Sequence, residues 1–171
     1  MTLGWLVLLA LLAVTAGACR AEEAPEASGC TNSLVVTDQF GESVELIEGA
    51  GAFGMKERRG YKVWTGDYAV PTEAAADDGL AHPPAGNHVL FLYVVTDGPA
   101  TKAGTEFVAG AGFPTLTLYA EAAGGTFGFR ATGEAGTARV IDVNDDRICL
   151  EVDYKSSELT VSGIVDAPLV D

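Results

Sequence analysis

The chain has 171 residues, of which 24 are acidic and ten are basic, giving a formal charge of −14. A surface this acidic repels phosphate backbones, so nucleic acid is not expected as a partner. Apolar residues make up 48% of the chain and 21 glycines separate short apolar runs, which argues against a disordered or collagen-like chain and favours many strands joined by tight turns.

The N-terminal segment indicates export. Residues 3–18 are apolar and uncharged, and the run is shorter than the ~20 residues that span a bilayer comfortably. It ends in Ala16, Gly17 and Ala18, whose small side chains fit the shallow pockets of a signal peptidase. We therefore expect residues 1–18 to be a signal peptide and the remaining chain to lie outside the cytoplasm.

The residues at the end of this segment also indicate how the chain is attached to a membrane. Ala16-Gly17-Ala18-Cys19 resembles the lipobox of bacterial lipoproteins. The resemblance implies that Cys19 becomes the lipidated first residue of the mature chain and attaches it to a membrane. An ordinary secretion signal and an uncleaved anchor are the alternatives.

The segment after Cys19 and the cysteine count extend this interpretation. Residues 19–29 are polar, acidic and without an apolar period, which predicts a flexible tether between the lipid and the folded part. The chain has three cysteines. If Cys19 carries lipid, Cys30 and Cys149 are left to form a disulfide in an oxidising compartment; the alternative is two buried free thiols.

Residues 30–171 are expected to form a single β domain. Short β-branched or alternating apolar runs, bounded by turn residues, predict about nine or ten strands and hence an antiparallel β-sandwich or barrel. Residues 49–54 are small and glycine-rich, which indicates a bulge or a close approach of backbone. The predicted strands span residues 33–37, 43–48, 61–68, 87–96, 105–109, 114–120, 126–131, 138–143, 147–154 and 158–165.

The last three predicted strands form a meander. Residues 136–141, the turn at residues 144–146 and residues 161–168 resemble the C-terminal ends of uncharacterised bacterial lipoproteins. The resemblance implies an exported β-sandwich and brings no catalytic residue with it. Asp142, Asn144 and Asp146 also have the spacing of a calcium loop, but Arg147 stands where such a loop needs glycine, so a hairpin turn is favoured.

A basic cluster beside aromatic residues is the preferred candidate for a ligand site. Four of the ten basic residues fall within seven positions of an otherwise acidic chain. Aromatic faces near charged groups can bind sugars or acidic polymers such as envelope glycans. Alternatively, the rings pack in the core and the basic side chains pair with surface carboxylates. The candidate patch consists of Lys56, Arg58, Arg59, Tyr61, Lys62, Trp64 and Tyr68.

The two histidines are a weaker candidate site. His82 and His88 lie six positions apart with Asp77 and Asp78 nearby, a set that could hold zinc or copper. Histidines in a proline-rich loop are more often solvated surface groups. We therefore expect no metal and no other cofactor.

The sequence also lacks the patterns of an enzyme, since no Gly-x-Ser-x-Gly elbow accompanies the histidines. The leading expectation is a lipid-anchored cell-envelope protein that displays a non-catalytic β domain with a binding or structural role. Its expected partners are the membrane, through the lipid, and an envelope protein or glycan. A surface glycan-binding module that uses the aromatic and basic patch is one alternative, and a metal-binding protein is the other.

Overall fold

The computed structural model describes residues 29–55, 59–73, 83–96, 100–110, 116–122, 129–131 and 135–170. The predicted signal peptide, residues 1–18, lies outside them, as does the predicted tether apart from Gly29. The described chain is all-β. Its strands are β1 Leu34–Asp38, β2 Ser43–Leu46, β3 Glu48–Met55, β4 Arg59–Gly66, β5 His88–Thr96, β6 Glu106–Ala109, β7 Leu116–Ala122, β8 Phe129–Ala131, β9 Ala135–Val143, β10 Arg147–Lys155 and β11 Leu159–Pro168.

These strands form two antiparallel sheets, which confirms the predicted sandwich. The six-stranded sheet has the order β2-β1-β11-β10-β9-β6, and the five-stranded sheet has the order β3-β4-β5-β7-β8. The predicted meander is the centre of the six-stranded sheet, because β10 pairs along its length with β9 on one side and β11 on the other.

The main core lies between the two sheets because side chains alternate along each strand. On β10, Leu150 and Val152 are buried, whereas Glu151 between them is exposed. Full burial of one such aliphatic side chain contributes about 1.5–3 kcal/mol. Both sheets supply this core, which includes Leu34, Val140, Leu150, Val152, Tyr154 and Val161 from the six-stranded sheet and Val63, Leu90, Leu92, Val94 and Leu116 from the five-stranded sheet.

The five-stranded sheet buries apolar side chains on its outer face as well. Leu90 and Leu92 of β5 face the main core, whereas Val89 and Phe91 belong to a second cluster. A strand buried on both faces is a continuous apolar run, which explains why the sequence of β5 does not alternate. The second cluster consists of Trp64, Val70, Val89 and Phe91, with Phe53, Tyr68, Tyr93 and Val170 partly buried against it.

The last described residues join the two sheets. After β11 ends, the N–H of Leu169 donates to the carbonyl oxygen of Asp146 at 2.7 Å. The N–H of Val170 then donates to the carbonyl oxygen of Ala52 at 2.9 Å, and Leu169 forms a parallel bridge with Ala52. This connection sets the β3–β4 end of one sheet beside the β9–β10 turn of the other.

Candidate functional site

An open groove lies where the β3–β4 end of the five-stranded sheet meets the β9–β10 turn. Its volume is about 830 Å³, which is in the range of ligand-binding sites. Apolar walls with a few fixed polar groups are suited to holding a ligand in one orientation. The walls come from Phe53, Met55, Leu169 and Val170, and the polar side chains are Arg59, Tyr61, Thr101 and Asp145.

The structure brings two members of the predicted ligand patch to this groove. Arg59 and Tyr61 both line it, and they lie two residues apart on β4, so their side chains leave the strand on the same face. Lys62 and Trp64 leave on the opposite face. Lys56 and Arg58 fall in the connection between β3 and β4, outside the described residues. The four members of the predicted patch that lie on β4 are therefore divided between the two faces of the sheet.

Trp64 is buried in the second cluster. Its side chain is 2% exposed, and the centroid of its ring lies 4.9 Å from that of Phe53. Tyr68 is partly buried against the same cluster. A ring that stacks on a sugar must offer an open face, so Trp64 cannot serve in the glycan-binding set proposed from the sequence. Of that set, Tyr61 lines the groove.

Lys62 also belongs to the packed outer face of the five-stranded sheet. It is 7% exposed, and its Nζ lies 5.3 Å from the ring centroid of Phe91 and 5.7 Å from that of Tyr93. Attraction between the ammonium and the two ring faces offsets part of the free energy required to remove the charge from water. Lys62 therefore does not line the groove.

His88 is engaged in a local polar cluster at the start of β5. Its Nδ1 lies 2.9 Å from Oδ2 of Asp67. Oδ1 of Asp67 accepts hydrogen bonds from the backbone N–H of His88 at 2.8 Å and from Nδ2 of Asn87 at 3.0 Å. The other candidate ligand, His82, lies outside the described residues. Within the described part of the chain, no group of three metal-ligating side chains is present.

This cluster lowers the pKa of Asp67 below its ordinary value of 3.8. Burial acts in the opposite direction, because a desolvated carboxylate is less stable than a carboxylic acid. Hydrogen bonds from the His88 backbone, the His88 ring and Asn87 outweigh burial, since all of them stabilise the ionised form. Asp67 therefore ties the residues after β4 to the start of β5.

Cys30 and Cys149 form the predicted disulfide, with their Cα atoms 6.0 Å apart. Cys149 is fully buried on β10, and its register partners on the neighbouring strands are Asp142 and Asp166. Arg147 donates to both carboxylates, from Nη2 to Asp142 at 3.2 Å and from Nη1 to Asp166 at 3.3 Å. One guanidinium thus joins three adjacent strands beside the bridge.

The turn between β9 and β10 is a hairpin, which the sequence favoured over a calcium loop. Oδ1 of Asn144 accepts from the N–H of Asp146 at 2.8 Å and from the N–H of Arg147 at 3.0 Å. The N–H of Asn144 donates to the carbonyl oxygen of Arg147. The side chain of Asn144 therefore closes its own turn, and Asp145 at the tip lines the groove.

Sequence reasoning missed the strand that borders the groove. Residues 49–54 are predicted to be a bulge or a close approach of backbone, and the structure has both features within an edge strand, β3 Glu48–Met55, that was not predicted: a Cβ on Gly49 would overlap the backbone of Tyr68. The register with β4 does shift between Glu48 and Gly51. The strand is difficult to predict from the sequence because glycine has no side chain and so shows no alternation of apolar and polar residues.

Comparison of the chain with protein-family models, with curated proteins and with solved structures gives no match. Among the residues that the structure describes, no helix is long and apolar enough to cross a membrane. The fold and the groove define the class: a disulfide-linked antiparallel β-sandwich with an open groove of ligand size.

Proposed function

We propose that this is a lipid-anchored cell-envelope protein, exported and held to a membrane through Cys19, that displays a non-catalytic binding domain. The observation that best supports the proposal is the Cys30–Cys149 disulfide. Structural disulfides persist in compartments outside the reducing cytoplasm. Because the bridge uses two of the three cysteines, Cys19 is left for lipid, at the position that the lipobox resemblance indicates.

The groove is the surface on which we place the binding role. Arg59 and Asp145 supply opposite charges to its lining, and Tyr61 supplies a phenol. Groups of this kind orient a bound ligand without reacting with it. On an exported domain, the available partners are other envelope proteins and glycans.

Fractionation of cells that produce the full-length chain tests the anchor. The wild type is expected in the membrane fraction and is released by detergent. The Cys19→Ser variant is expected in the soluble exported fraction, because the acceptor of the lipid is lost. Cys30→Ser is the matched control, since it removes a different thiol and should stay with the membrane. Retention of Cys19→Ser in the membrane at the wild-type level would contradict the proposal.

A further inference from the structure

The disulfide joins the N-terminal segment to the middle of the six-stranded sheet. Cys30 lies four residues before β1 begins, yet it is bonded to Cys149 on β10, and β11 lies between β1 and β10 in the sheet. Four residues before Cys149 in the sequence is Asp145, which lines the groove. The covalent path from the N-terminal segment to the groove therefore does not pass along β1.

Without the bridge, tension on the N-terminal segment would fall on β1. Just before β1, the N–H of Ser33 donates to the carbonyl oxygen of Ile164 at 2.9 Å. Oδ1 of Asn32 accepts from the N–H of Asp166 at 2.6 Å. A strand that is pulled away from one end loses such bonds one after another, and each contributes only about 0.5–1.5 kcal/mol net. β1 has five residues, so it would open early.

β1 and β2 would leave the sheet together. Among the described strands, β2 forms a ladder with β1 alone. The hairpin of β1 and β2, residues 34–46, is therefore joined to the six-stranded sheet by the ladder between β1 and β11. Its contacts with the rest of the core include buried Leu34 and Leu46, and the carbonyl oxygen of Leu46 accepts from Oγ1 of Thr65 at 2.8 Å. Parts of a fold with few such contacts open first.

β10 is held on both sides. It pairs with β11 from Arg147 to Lys155 and with β9 from Ile148 to Lys155. Ile148, Leu150 and Val152 are buried in the core. Removal of β10 would break two ladders together and expose side chains whose burial contributes about 1.5–3 kcal/mol each. Of the two strands, β10 is thus the one better able to bear tension.

We propose that the bridge between Cys30 and Cys149 is a mechanical clamp. It carries tension between the membrane anchor and a partner in the groove directly to β10, and it keeps the β1–β2 hairpin folded under that tension. The inference rests on the anchor and the binding role proposed above, because a domain that is held at Cys19 and bound at the groove is pulled between these two points.

Pulling on single molecules between the same two points tests the clamp. In the detergent-solubilised full-length chain, azide-bearing amino acids replace Ser28 and Asp145, and each is joined to a DNA handle held in optical tweezers. With the bridge intact, no opening step is expected as tension rises, because the disulfide and a few residues connect the handles. In Cys30→Ala, the β1–β2 hairpin is expected to open first, at lower tension than the rest of the domain. The step should be about 5 nm, the extended length of residues 30–46.

Two further variants serve as controls. Trp64→Ala removes a large buried side chain but keeps the bridge, so a step that came from lower stability alone would appear in it as well. We expect no step of about 5 nm in Trp64→Ala. Cys149→Ala breaks the same bridge from its other side and should repeat the result of Cys30→Ala, so the test does not depend on one variant. Far-UV circular dichroism before pulling checks that each variant is folded.

Two results would overturn the inference. One is a step of about 5 nm in the bridged protein, because tension would then pass along β1. The other is a Cys30→Ala domain that opens only as a whole, because β1 would then bear the tension without the bridge. Neither measurement involves the lipid on Cys19, so failure of the clamp is distinguishable from failure of the anchor in the fractionation of Cys19→Ser.

Discussion

Asp67 couples the stability of the domain to pH. Its pKa is lower in the folded protein than the ordinary value of 3.8, so the unfolded chain takes up this proton first as pH falls. The stabilisation from ionised Asp67 is therefore present in full above the unfolded pKa. It is lost as pH falls through the lower folded pKa.

Asp67→Asn is expected to lower the free energy of unfolding at pH 7 by about 1–3 kcal/mol, because hydrogen bonds to a charged acceptor are lost. The difference from wild type should begin to shrink below about pH 4 and should continue to shrink as pH falls through the lowered folded pKa, because the folded wild-type carboxyl becomes neutral only there. Denaturant titrations at pH 7 and pH 3 measure both effects. Asp153→Asn, at an exposed position on β10, is the control and should change stability by less than about 0.5 kcal/mol. A difference that is constant with pH would contradict the role of the charge.

Gly163 is the residue that allows β1 to pair closely with β11. Its φ is +127°, and a Cβ there would overlap the carbonyl oxygen of Ser33. Gly41 has a φ of +85°, but nothing lies within 4 Å of a Cβ at that position. Gly41→Ala should therefore lower stability by about 1–2 kcal/mol from backbone strain alone.

Gly163→Ala should lower stability by about 3 kcal/mol or more, because overlap with Ser33 adds to the strain. Urea unfolding of the two variants side by side measures the difference. Equal losses would show that the start of β1 does not lie against Gly163.

Among the strands, sequence reasoning was most accurate where burial is one-sided. The strand predicted at 147–154 is β10, Arg147–Lys155, and from Leu150 onwards its residues alternate between core and solvent. Its neighbour, predicted at 158–165, extends to Pro168 as β11. The edge strand β3 was missed, since its glycines show no alternation and its position depends on distant pairing with β4.

The second cluster is an element of the fold, and Trp64 is its largest side chain. Trp64→Ala is expected to lower the free energy of unfolding by about 3–5 kcal/mol, since it removes a buried ring and leaves a cavity. Phe40→Ala is the control, because Phe40 is 82% exposed and should contribute less than about 0.5 kcal/mol. Guanidinium unfolding followed by far-UV circular dichroism measures both variants. A loss below about 1 kcal/mol for Trp64→Ala would contradict its role in the core, and Trp64 would again be a candidate for ligand binding.

For the whole molecule, the sequence predicted the layered β fold better than the site. The number of cysteines was sufficient to predict the disulfide, and the spacing of the strands was sufficient to predict a sandwich or barrel. The groove is assembled from residues 53–55, 59–61, 100–101, 145 and 169–170, which are brought together by pairing across two sheets. Residues that come together only through tertiary pairing leave no local pattern in the sequence. The predicted patch therefore includes Arg59 and Tyr61, which line the groove, but also Trp64, which lies on the opposite face of the sheet.

The disulfide should contribute to global stability, because it joins residues 119 apart in sequence. Replacing both Cys30 and Cys149 by alanine is expected to lower the free energy of unfolding by about 2–5 kcal/mol, through the greater freedom of the unfolded chain. Urea titrations with and without reductant give the comparison. The reduced wild type should unfold at the same urea concentration as the double variant. A wild type whose midpoint is unchanged by reductant would contradict this.

We propose that Cys19 carries lipid, while Cys30 and Cys149 form the disulfide. Mass spectrometry of the protein purified from membranes, digested without reduction, tests both halves at once. The account predicts an N-terminal peptide that begins at Cys19 and carries a diacylglyceryl group, together with a cross-linked peptide that contains Cys30 and Cys149. An N-terminal peptide in which Cys19 is unmodified, or a free thiol at Cys30, would contradict it.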